Sequence, residues 1–120
     1  MIDIVRNIRQ RQRIANSTVL SPKAVLLDVQ SIAENNSIGA VVGVLSSVDI
    51  NATETFTYTL VAGTGDTDNA SFTIDGRSLK AAEAFNYEVK NSYSIRVRST
   101  DSGSQYTERA FTIIINDVSE

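Results

Sequence analysis

Hydrophobic and polar residues alternate with a period of two over much of the chain. Phe56, Tyr58 and Leu60 interleave with Thr55, Thr57 and Thr59. Tyr93, Ile95 and Val97 interleave with Ser94, Arg96 and Arg98, and Phe111, Ile113 and Ile115 share one parity further on. Such alternation marks strands with one face buried and one face wet. It predicts strands at Thr55–Leu60, Ser92–Ser99 and Gln105–Ile115, with short strands around Phe72–Ile74 and Leu79. Asp75-Gly76 between the last two is the clearest hairpin signal. Upstream, Ala24–Val29 reads as a first strand that Ser31–Glu34 continues after a bend. Val41–Val48 is also a strand, but both of its parities are apolar, so its facing is open. Ala81-Ala82-Glu83-Ala84 breaks the pattern and favours a turn of helix, with Phe85 and Tyr87 as core plugs. Seven strands about ten residues apart, with turn residues between them, predict an antiparallel Greek-key β-sandwich. Its expected core is Tyr58, Leu60, Phe72, Leu79, Phe85, Ile95, Val97, Phe111 and Ile113.

Composition agrees. The 120 residues suit one all-β domain rich in Thr, Ser, Val and Ile, with a single proline, Pro22. There is no cysteine and no histidine. Disulfides, thiolate zinc sites, the usual catalytic triads and the commonest general base are thereby excluded. Any metal must be held by oxygen, which selects hard cations such as calcium.

Charge divides the chain in two. Arg6, Arg9, Arg11, Arg13 and Lys23 oppose only Asp3 in residues 1–23, about +4, so residues 24–120 carry about −7 of the net −3. We read residues 1–23 as a basic, extended N-terminal arm and residues 24–120 as an acidic sandwich. The arm is either a solubilising tail or a dock for an acidic protein partner, including another copy of this body. Nucleic acid is not expected, since the arm offers no aromatic for stacking and the body repels phosphate. No apolar run nears the roughly 20 residues that span a bilayer, and the first residues lack the continuous apolar stretch of a secretory signal.

Several short elements stand in a telling order: Ala33-Glu34-Asn35, Gly39 before the Val-rich strand, Asp49-Ile50-Asn51, Tyr58, Phe72 with Leu79, Asn86-Tyr87-Glu88, Tyr93-Ile95-Val97, Thr100-Asp101-Ser102-Gly103 and Asp117-Val118-Ser119-Glu120. In this order they resemble a cadherin repeat of the bacterial and viral style, over about residues 30–120. The resemblance implies an Ig-like sandwich with carboxylates at its two poles and calcium between successive repeats. Matched by position, Glu34, Glu88, Asp117 and Glu120 form the C-terminal-pole half-site, and Asp49, Asn51 and Asp101 the N-terminal-pole half-site. Two family carboxylates are amides here, Asn86 and Asn51, so calcium binding is expected to be weak. The competing reading takes these acids as solvated turn formers.

Other motifs are weaker. Asp66, Asp68 and Asn69 share a loop that lacks the final acid of an EF-hand, and Gly63-Thr64-Gly65 lacks a phosphate-loop lysine. Ser102 and Ser104 have no base beside them. The expected function is therefore non-catalytic. One class is an assembly or surface-decoration component, such as a phage head-decoration or tail accessory protein pinned to capsid or tail proteins by its arm. The other is a calcium-dependent adhesion or spacer repeat from a large bacterial cell-surface protein. These place the chain on a virion or an extracellular surface.

Overall fold

The computed structural model describes residues 24–48 and 55–119. The arm, with Arg6, Arg9, Arg11 and Arg13, lies outside the described residues, as do Asp49, Asn51 and Glu120. Among the described residues eight strands are seen: β1 (Ala24–Leu27), β2 (Ser31–Ala33), β3 (Val41–Val48), β4 (Phe56–Leu60), β5 (Phe72–Asp75), β6 (Ser78–Ala81), β7 (Ser92–Asp101) and β8 (Tyr106–Asn116). They form two four-stranded sheets, in the orders β1-β3-β6-β5 and β2-β8-β7-β4. The expected sandwich is present, with more strands than the seven expected, and the first expected strand divides between the sheets. Asp28 still donates its N–H to Val44 of the first sheet, while the Gln30 carbonyl already accepts from Ile114 of the second. The pairing is antiparallel except for β2, which runs parallel to β8.

The core lies between the sheets. Tyr58, Phe72, Leu79, Phe85, Ile95, Val97, Phe111 and Ile113 are buried as the alternation requires. Leu60 is only partly buried, because it ends the edge strand β4, yet it packs against the same cluster. Val25, Leu27, Val42, Leu45, Ala81, Tyr93 and Ile115 complete the core. A register shift between Val41 and Gly43 resolves the ambiguous strand: it turns Val42 and Gly43 inward together, then sends Val44 and Val48 out and Leu45 in. Phe72, Phe85 and Tyr93 meet as an aromatic trio, with ring centroids 4.7 to 5.9 Å apart.

Two local expectations change. The Asp75-Gly76 hairpin forms, but its register makes Gly76 and Arg77 the two central residues; Gly76 takes φ +62° at the first of them, where a II′ turn places glycine. No helix forms at Ala81–Ala84. Ala81 closes β6 by pairing with Phe72, exchanges main-chain hydrogen bonds with Gly39 and Ala40, and Ala82 donates to Ser71. Sheet pairing there outweighs the weak helical preference of alanine.

Candidate functional site

At the C-terminal pole the parallel pairing of β2 with β8 brings Glu34 beside the end of β8, where the Glu34 N–H donates to the Asn116 carbonyl at 3.0 Å. A third segment, residues 83–88, closes over them. It is held by Asn36, whose Oδ1 accepts from Phe85 N–H at 2.9 Å and whose Nδ2 donates to the Glu83 carbonyl at 3.0 Å. Asn35, at φ +62°, donates its N–H to the Phe85 carbonyl. Phe85 itself is buried in the aromatic trio, so the segment is anchored from below.

Glu34 is the centre of this pole and only 3% exposed. Its Oε2 accepts the Tyr87 N–H and its Oε1 the Val118 N–H, each at 2.9 Å. Two amides on one carboxylate compensate its removal from water. They also position the neighbours of Tyr87 and Val118. One carboxylate oxygen from each of Glu34, Glu88 and Asp117 lies within 4.8 Å of the other two. Glu88 and Asp117 are exposed. Three like charges so close repel one another, and a bound cation would relieve the repulsion. The donor set is all oxygen and comes from three separate segments, which suits a hard divalent cation. Asn86 turns inward on its own loop, its Oδ1 accepting from the Glu88 N–H at 3.1 Å.

The opposite pole is less complete, since Asp49 and Asn51 are not described. Asp101 is 5% exposed, and its Oδ1 accepts from Gly103 and Gln105 N–H at 2.9 Å, shaping the turn into β8. Among the described residues its Oδ2 is buried without a hydrogen-bond partner.

Alternation could not reveal what the loop of residues 61–69 does. Asp68 and Asn69 serve the backbone of β7, and Asp66 that of its own loop. The Asp68 Oδ2 accepts from Ser94 N–H, the Asn69 Oδ1 accepts from Arg96 N–H, and Asp66 Oδ2 accepts from Gly63 N–H. Lys90 pairs with the other Asp68 oxygen at 3.0 Å. The signal was a polar Asp68-Asn69 pair in the loop that follows β4, beside the part of the β7 edge that β4 leaves uncovered. On the outer face of the same sheet Arg96 and Arg98 both bind Glu108, at 2.8 and 2.6 Å, and their hydrogen bonds, Arg96 first, hold its carboxyl below the ordinary glutamate range. Among the described residues no helix is long and apolar enough to cross a membrane.

No protein-family model and no curated protein sequence matches the chain. Solved structures do. The chain superposes on human protocadherin-24 EC1-2 with TM-score 0.62 at 19% identity, over 82% of this chain and 46% of that one. For protocadherin gamma B2 extracellular cadherin domains 3-6 the values are 0.56 and 16%, over 78% and 22%. For the protocadherin gammaB4 extracellular domain they are 0.56 and 22%, over 81% and 17%. The architecture is therefore the cadherin-like β-sandwich. The chain spans less than half the length of each of these structures.

Proposed function

We propose that the chain is a non-catalytic interaction module whose C-terminal pole takes a calcium ion. The convergence of Glu34, Glu88 and Asp117 from three segments carries this reading. Calcium takes about six to eight oxygens, so three carboxylates leave positions for water or for groups of an adjoining chain. When bound, the ion supplies charge neutralisation and cross-links the ends of β2 and β8 to the segment bearing Glu88. Glu34, fixed by two amides, is the preorganised member; Glu88 and Asp117 close from the exposed side. The fold's likeness to extracellular cadherin domains supports an extracellular surface as the place of action and proteins, including further copies of this chain, as partners. The test is thermal unfolding with and without millimolar calcium, for the wild type and for the Glu88→Gln, Asp117→Asn pair. Calcium should raise the Tm of the wild type and leave that of the double variant unchanged. An unmoved wild-type Tm sinks the reading.

The charge division of the sequence favours a second reading, an assembly or virion-decoration component docked through residues 1–23. Exposed-charge docking weakens with salt, because the screening length is about 8 Å at physiological ionic strength. Deleting residues 1–20 should leave the sandwich folded and abolish salt-sensitive association with its assembly partner. Undiminished association would remove the arm from the argument.

A further inference from the structure

β3 is eight residues long and its neighbour β6 is four, so the first sheet ends early on that side. β6 pairs with β3 only as far as Val44. At Leu45 the hairpin residue Arg77 takes over, its carbonyl accepting the Leu45 N–H and its Nε donating to the Leu45 carbonyl. Beyond Leu45 the sheet is notched, and among the described residues β3 continues to Val48 with β1 alone beside it. The notch is a cleft of about 380 Å³ lined by Ser46, Ser47, Thr55, Phe56, Tyr58 and Arg77. That volume suits a small organic ligand. Phe56 and Tyr58 belong to β4, so the floor is the inner face of the second sheet seen through the gap in the first.

The notch is rich in donors. Ser47 Oγ lies 2.6 Å from Ser99 Oγ and 3.0 Å from Tyr58 OH. Each of these hydroxyls has one proton to give. Ser99 is fully buried, and Ser47 is its one side-chain hydrogen-bond partner among the described residues. A Ser99 proton aimed elsewhere would be a buried donor without an acceptor, which is unfavourable. The relay therefore runs from Ser99 to Ser47 to Tyr58 and leaves the Tyr58 O–H as a spare donor at the floor. Arg77 spends its Nε on Leu45, and none of the ion pairs among the described residues uses its terminal nitrogens. Main-chain groups on a strand point alternately to either side. Val44 addresses Asp28 and Leu45 addresses Arg77, so the Ser47 N–H faces the notch, where no strand among the described residues pairs with it.

We propose that this notch binds a small carboxylate-bearing ligand. The carboxylate sits between the Arg77 guanidinium and the Tyr58 O–H, and the body of the ligand lies on the Phe56 ring. Acidic monosaccharides and acidic peptide side chains share this chemistry. The site is independent of the cation pole and uses none of its residues.

Amide chemical-shift titration of the full chain tests the proposal. The probes are glucuronate and N-acetylglutamate, with glucose and N-acetylglutamine as their neutral counterparts. At least one acid should move the Ser47, Phe56, Tyr58 and Arg77 amides saturably, and its neutral counterpart should bind at least about tenfold more weakly, roughly the worth of one charged hydrogen bond. Which acid binds identifies the source. Arg77→Gln and Tyr58→Phe should each weaken the acid about tenfold or more while resonances away from the notch stay put. Failure of both acids to saturate, equal binding of the neutral compounds, or Arg77→Gln binding like the wild type overturns the site.

Discussion

Asp68 and Ser94 bind each other twice, the Asp68 N–H donating to the Ser94 carbonyl at 2.9 Å and the Ser94 N–H donating to the Asp68 carboxylate at 2.8 Å. The side chain completes the two-bond ring that a strand residue would otherwise close with its main chain. Asn69 repeats the device at Arg96, with its Nδ2 returning to the Val61 carbonyl. Together they extend the cover of β7 past the end of β4.

Asp68→Ala should therefore destabilise by about 2 kcal/mol, the cost of stranding a partly buried amide. Asp68→Asn, which keeps an acceptor, should lose less. Denaturant titration orders the three proteins, and faster exchange of the Ser94 amide in Asp68→Ala locates the damage. An unchanged Ser94 amide would show that another group covers this edge.

Glu108 links stability to pH. Its folded-state pKa lies below that of the unfolded chain because Arg96 and Arg98 hydrogen-bond its carboxylate. The stabilisation is present above the ordinary glutamate value and is lost as the pH falls through the folded value. The wild type should exceed Glu108→Gln in Tm near neutrality, and the gap should close as the pH falls below the ordinary glutamate range. A gap that stays constant over that range would assign the effect to packing rather than charge.

Gly43 admits no side chain. A Cβ there would lie 2.5 Å from the Val29 carbonyl oxygen, which is backbone and cannot swing aside. Gly43→Ala should cost about 1–3 kcal/mol through strain at the bulge of β3. Equal denaturant midpoints for variant and wild type would mean that β3 relaxes freely.

Phe85→Ala should cost about 3–5 kcal/mol, since the ring is buried against Phe72 and Tyr93. It should also loosen Glu88, whose segment rests on that ring. Calcium-induced Tm shifts smaller in the variant than in the wild type are the expected readout.

The strands from β4 to β8 were legible because each buries one parity and wets the other. β3 was not, because its bulge turns two neighbours, Val42 and Gly43, to the same side. β2 is three residues long, too short to show a period, and its parallel partner lies some eighty positions away. The acids of the C-terminal pole could be named from their resemblance to a repeat. The burial of Glu34 could not, because it depends on amides from Tyr87 and Val118 that only the folded chain brings near. The structural role of Asp68 was hidden for a related reason. A carboxylate in a Gly-rich loop looks like a cation ligand until the open strand edge beside it is known.

The parallel run of β2 along β8 bears on mechanics. The described chain enters at Ala24, beside the start of β8, where Arg109 reaches the Val25 carbonyl, and leaves at the far end past Asn116. A pull applied through these two ends drags β2 and β8 in opposite directions along their common axis. Their hydrogen bonds, with the Glu34 clamp on Val118, are then loaded in shear and must fail together rather than unzip singly.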